Sequence, residues 1–173
     1  VYVNCNWTEH FTYKVIPELI SLKTLWLEEP IFPPENFRLL SKFREKGISI
    51  AAGENACTAM QFSEIINLQA VDFLQPSITK VGGLSEYNKI SLLNRVEGIP
   101  IMAHSPYFGP GYLATLQIAA VEKNFGLFEF LYVEPEAWLY KKMPLPQSGE
   151  ISIPEGYGFG LEPDMDVVEK YKI

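Results

Sequence analysis

The chain has 173 residues, 47% apolar and 20% charged, with a formal net charge of −7. That length suits one domain with a core of its own, and the acidic balance argues against a nucleic-acid surface. Cys5 and Cys57 make neither a disulfide framework nor a CxxC pair. No apolar run reaches the roughly 20 residues of a membrane span, and with no secretory signal in view the chain reads as cytoplasmic.

In chain order, strands alternate with helices. Val1–Trp7 is a short β-branched run. Thr8–Leu22 has helical spacing of Phe11, Val15, Leu19 and Ile20, with Pro17 inside it. Thr24–Glu28 reads as a strand. Pro34–Lys46 reads as a helix, with Pro34 near its start, Gly47 just past its end and Phe37, Leu40 and Phe43 on one face. Ser49–Gly53 is a strand and Ala59–Asn67 a helix. Val71–Leu74 is a continuous apolar strand of the doubly buried kind. After Gly82-Gly83, Ser85–Val96 is a helix with Tyr87, Ile90 and Leu93 inward. Ile99–Ala103 is a strand, Pro110–Lys123 a helix, and Gly126–Val133 the last strand. From Glu134 onward prolines and glycines mark turns, with a short helix or loose end at Val168–Ile173.

This alternation predicts an α/β fold with a parallel sheet and right-handed crossovers. About six βα units are too few for an eight-stranded barrel. The expectation is an incomplete (β/α) TIM-type barrel comprising strands 3 to 8, with residues 1–133 as the barrel part. Residues 134–173 are then a tail packing on the barrel or on a lid domain outside this sequence.

Polar residues end the apolar runs at a regular pitch. Glu28, Glu54, Ser77, His104 and Glu129 follow one another roughly 25 residues apart, which is about one βα unit of a barrel. The C-terminal ends of parallel strands converge on one mouth, where barrel enzymes keep their chemistry. Glu28 and Glu54 on neighbouring strand ends suit a hard divalent cation. The plainer reading is that each caps a helix or pairs with a lysine. His104 titrates near neutrality and suits proton transfer; a lone histidine can equally be a hydrogen-bonded core residue. It precedes Ser105-Pro106-Tyr107-Phe108-Gly109-Pro110-Gly111, a stiff aromatic loop suited to lining a pocket. Glu129, flanked by Leu127-Phe128 and Phe130-Leu131, is either an acid in an apolar setting or a glutamate paired with lysine. Lys80 lies on the opposite face to Ser77 and Thr79 if the strand continues, which makes it a near-site or structural residue rather than a base.

Glu28-Glu29-Pro30, Gly53-Glu54-Asn55, Lys80-Val81-Gly82-Gly83, His104 and Glu129, in this order, resemble the mandelate racemase and muconate-lactonizing branch of the enolase superfamily. The closing Gly149–Pro154 and Gly158–Glu162 segments also resemble it. The resemblance implies Mg²⁺ held by Glu28 and Glu54, and a base that removes the proton next to a substrate carboxylate. It implies His104 as base or acid and Glu129 as a carboxylic acid that hydrogen-bonds the developing ene-diolate. Asn4, Asn55, Ser77, Lys80 and Tyr107 fall near the substrate.

Three departures shape the expected reaction. Tyr2 stands where the family keeps its first Asp ligand, and a neutral phenol is a poor Mg²⁺ ligand. Ser77 stands where the racemases keep an Asp that orients the histidine, and a serine cannot stabilise an imidazolium as a carboxylate does. The family's Lys-x-Lys strand and its lid domain have no counterpart. The expected function is a Mg²⁺-dependent lyase that dehydrates a sugar acid, with His104 chiefly an acid. Its alternatives are a racemase or epimerase of a 2-hydroxy or amino acid, and an incomplete barrel without turnover. The expected partner is a small-molecule carboxylate, with no nucleic acid and no membrane, and the resemblance implies a homo-oligomer.

Overall fold

The computed structural model describes residues 3–4 and 6–173. Tyr2 and Cys5 therefore lie outside the described residues. The chain divides into two compact units: Val1–His104 with Asn124–Leu127, and Ser105–Lys123 with Phe128–Ile173.

The first unit is built on a parallel sheet of four strands in the order β1 (Val3–Asn4), β2 (Leu27–Glu28), β3 (Ile50–Ala52) and β4 (Phe73–Leu74). Helices α1 (Glu9–Ser21), α2 (Phe37–Arg44) and α3 (Ala59–Asn67) connect them. Each helix starts on a side-chain cap: Thr8, Asn36 and Thr58 accept from backbone N–H groups of their first turns, satisfying donors that a helix leaves open. Helix α4 (Leu84–Asn94) follows β4. It is entered through Gly82 and Gly83, both at φ 88°, a left-handed conformation that favours glycine. Beyond β4 the ladder continues through single bridges, Leu74 to Ile101 and Ile101 to Phe125, both parallel.

Leu27, Ile50, Ala51, Leu74 and Ile101 from the sheet, with Leu40, Phe43, Phe62, Ile65 and Ile90 from the helices, are fully buried. The α2 face of Phe37, Leu40 and Phe43 is as expected. Two faces differ. In α1 the buried residues are Thr12 and Ile16, while Phe11 and Ile20 are exposed. The Thr12 hydroxyl donates to the Thr8 and Pro30 carbonyls. A polar residue with partners thus turns inward where apolar spacing pointed one position away. In α4 Leu93 is exposed, and Asn94 is buried in its stead. The Asn94 amide closes the next turn by bonding the Ile99 carbonyl and N–H.

At the N-terminal end of the sheet Asp72 acts as a clasp. Its carboxylate accepts from the Ile50 N–H at 3.0 Å and from Arg44 Nε at 2.8 Å. Arg44 also reaches the Gln69 carbonyl.

The second unit contains α5 (Pro110–Val121) and α6 (Met165–Tyr171). Its core is Tyr112, Leu113, Leu116 and Tyr140, with Phe128, Phe130 and Phe159 packed against it. The Tyr112 hydroxyl donates to the Pro144 carbonyl at 2.7 Å. The expected strand at Gly126–Val133 does not form: regular pairing stops at the Phe125 bridge and the segment runs without a ladder. Ile99–Ala103 likewise pairs only through Ile101. Apolar residues supply the content of a strand, but a strand exists only where a neighbour accepts its backbone. Among the described residues no helix is long and apolar enough to cross a membrane.

Candidate active site

The sheet's C-terminal end gathers the site. Asn4 and Glu28 are register partners on β1 and β2, so their side chains leave the sheet side by side. Asn4 Nδ2 donates to Glu28 Oε1 at 2.7 Å. The other oxygen of Glu28 accepts from Trp26 Nε1 at 3.0 Å and from Gln75 Nε2 at 2.7 Å. Trp26 lies two residues before Glu28, directly ahead of β2, and the alternation of side chains along an extended backbone brings it to the same face. Gln75 directly follows β4. Both were missed in the sequence, although strand alternation marks Trp26, and Gln75 is the first polar residue after the apolar run Val71–Leu74.

Glu54 follows β3. Its carboxylate stands 3.3 Å from His104 Nε2 and 3.8 Å from Lys80 Nζ. Burial raises the Glu54 carboxyl above its ordinary range; Lys80 opposes this and the charge of Glu28 adds to it. His104 is pushed down to about 4, first by burial and then by the Lys80 cation, against the pull of Glu28. The Glu54 contact is long for a hydrogen bond and does not reverse this, so the imidazole is neutral at pH 7. Lys80 reaches the site because β4 ends at Leu74 and residues 78–82 form a turn. The strand-parity argument that set Lys80 on the far face therefore lapses.

The sign of the Lys80 effect is testable. In metal-free protein the His104 imidazole should titrate with a midpoint of about 4. Removing a nearby positive charge makes the imidazolium easier to form, so Lys80→Met should move the midpoint upward. Proton NMR of the imidazole ring checks this; a downward move contradicts the arrangement.

Asn55 donates to Glu29 at 2.5 Å and to Glu54 at 3.4 Å. Ser77 is fully buried, its hydroxyl 3.4 Å from that of Thr79. Glu129 and Tyr107 belong to the second unit. There the Glu129 carboxylate accepts from the Ser105 N–H at 2.7 Å, and the Ser105 hydroxyl donates to the Glu129 carbonyl at 2.7 Å. Glu129 is exposed, as are Leu127 and Leu131, so the apolar enclosure expected around it is not formed. Tyr107 packs against the core of its unit.

Glu28 and Glu54 offer a donor set that suits Mg²⁺, which is held by one or two carboxylates together with water and substrate oxygens. Glu28 already accepts three N–H bonds, leaving about one acceptor position of a carboxylate's four. Among the described residues no three His, Cys, Asp or Glu side chains form a group able to hold a metal. The residues thus fit an open two-carboxylate site rather than a closed cage.

Residues 1–167 match the family described as enolase C-terminal domain-like. The chain is 32% identical over 175 aligned positions to the D-xylonate dehydratase of Haloferax volcanii, covering 98% of this chain and 42% of that protein. A crystal structure of a mandelate racemase/muconate lactonizing enzyme-like protein from Rubrobacter xylanophilus superposes with a TM-score of 0.89 at 29% identity, over 99% of this chain and 45% of that one. The fold is also that of L-talarate dehydratase from Polaromonas sp. JS666, solved with Mg and L-glucarate, at a TM-score of 0.79, 21% identity, and 97% and 46% coverage. The chain spans less than half the length of each of these relatives. With its parallel sheet and the family match over nearly all its length, the chain belongs to the mandelate racemase/muconate-lactonizing family of the enolase superfamily, as part of that family's C-terminal barrel domain.

Proposed function

We propose that this chain carries reacting groups of a sugar-acid dehydratase. The observation behind this reading is one cluster at the sheet's C-terminal end: neutral His104 against Glu54, beside Lys80 and within the field of Glu28. The dehydratases among its relatives favour dehydration over other reactions of the family. In this reading residues 1–133 are the barrel part and 134–173 its tail.

The substrate is a small hydroxylated carboxylate. His104, neutral at rest, takes the proton from the carbon next to the carboxylate, and the C–H electron pair passes into an ene-diolate. That pair then expels the neighbouring hydroxyl. The imidazolium returns its proton to the leaving oxygen, which departs as water, and the enol left behind becomes the 2-keto-3-deoxy acid. The low pKa of His104 makes it a base first; it is an acid only after taking the substrate's proton. Lys80 disfavours the imidazolium and so speeds that return. Bound Mg²⁺, held by Glu28 and Glu54, supplies neutralisation of the charge that develops on the substrate carboxylate. Asn4, Trp26 and Gln75 hold Glu28 in one orientation.

The test is incubation of the protein with Mg²⁺ and a panel of sugar acids in D₂O, followed by NMR. Formation of a 2-keto-3-deoxy acid that carries solvent deuterium at carbon 3 is the expected result, since carbon 2 becomes the carbonyl and keeps no hydrogen. Deuterium at carbon 2 of recovered acid, without loss of water, moves the assignment to a racemase or epimerase, and neither label from any acid in the panel sinks the enzyme reading.

A further inference from the structure

We propose that Glu29 is a positioning residue, whose carboxylate clamps the turn that presents Glu54. This rests on the reading of Glu54 as a metal-holding carboxylate. The two consecutive glutamates after Leu27 have different partners. Glu28 is bonded by Asn4, Trp26 and Gln75. Glu29 turns to the next strand end: one oxygen accepts from the Gly53 N–H at 3.2 Å, the other from Asn55 Nδ2 at 2.5 Å. These two donors flank Glu54 in sequence. The Glu29 backbone N–H also donates to the Ala51 carbonyl at 3.1 Å, so residue 29 holds β3 and the turn after it at three points.

Three features set this apart from an ordinary buried acid. Glu29 is 5% exposed, and the Gly53 and Asn55 groups that bond its side chain are neutral N–H donors rather than a cation. Its φ is 35°, a left-handed conformation that is unfavourable for a non-glycine residue. Such strain persists only where surrounding contacts over-determine it, as they do at functional sites. Finally, Gly53 has no room to relax: a Cβ there would lie 2.9 Å from the Phe62 ring and 3.2 Å from the Gln75 backbone. The turn is fixed on one side by packing and on the other by Glu29.

The test compares wild type, Glu29→Gln and the double variant Glu29→Gln/Asn55→Asp in the full chain. Glu29→Gln keeps the size and one acceptor but sets an amide N–H against a donor. Adding Asn55→Asp converts that donor to an acceptor, so the contact re-forms with its polarity reversed and the net charge of wild type returns. Two readouts are taken: hydrogen exchange of the backbone N–H groups of residues 53 and 55 in metal-free protein, and Mn²⁺ affinity by electron paramagnetic resonance. The single variant should speed exchange about tenfold and weaken Mn²⁺ binding about 10–100-fold, as loss of an outer partner of a ligand does. The double variant should recover both to within about threefold of wild type. Exchange separates geometry from charge, because it is read without metal. The inference is overturned if the single variant exchanges like wild type, or if the double variant exchanges no more slowly than the single. If wild type takes up no Mn²⁺ while exchange follows the expected order, the clamp stands and the metal reading fails.

Discussion

Replacing His104 by asparagine is expected to slow exchange of the substrate's α-proton by about 10²–10⁴-fold, the usual contribution of a positioned general base. Asparagine keeps a hydrogen-bonding amide near Glu54 but cannot accept and return a proton. The loss should therefore fall on turnover, while Mn²⁺ affinity stays near wild type because Glu28 and Glu54 are intact. Exchange rates and metal titrations on the same preparation check both halves. An exchange rate within about threefold of wild type places the base on another residue.

The largest expected effect on stability is at Gly53. Its φ is 134°, a region that L side chains rarely adopt. A methyl group there meets the Phe62 ring at 2.9 Å and the Gln75 backbone at 3.2 Å. Neither neighbour yields easily. Phe62 is fully buried, and the Gln75 N–H is bonded to the Ala52 carbonyl at 3.0 Å. Gly53→Ala should destabilise the fold by about 2–4 kcal/mol, read as a lower urea midpoint with the slope unchanged. Because Gln75 also donates to Glu28, the same substitution should disturb the orientation of Glu28. A urea midpoint equal to wild type would mean that the turn has slack that this geometry denies.

Much of the first unit was legible in the sequence. Phe37, Leu40 and Phe43 announce the buried face of α2, and Gly82-Gly83 the turn into α4. Glu28 and Glu54 stand out in the sequence because an acid at the end of an apolar run is conspicuous. Groups acting through hydrogen bonds were harder. Glu29 looks like a repeat of Glu28, and only its backbone conformation and its two donors separate their tasks. In the sequence Ser77 falls at the regular pitch and Gln75 does not, and polarity alone does not report which side chain meets Glu28. Thr12 in α1 shows the same thing: its hydroxyl finds carbonyl partners, so it enters the core while Phe11 remains outside. At Gly126–Val133 apolar content suggested a strand, but content does not name a pairing partner. Strand parity makes Lys80 a near-site or structural residue rather than a base, and the early end of β4 removes the premise.

The Asp72 clasp separates two tasks along the length of the strands. Asp72 ties Ile50 and Arg44 at the sheet's N-terminal end, whereas Glu28, Glu54 and His104 gather at the C-terminal end. In barrels the first end serves stability and the second chemistry. Directed evolution can therefore harden this protein against heat through the residues around Arg44, Gln69 and Asp72 and, under the proposed dehydratase reading, retune its choice of acid through the opposite rim, with little crosstalk between the two campaigns.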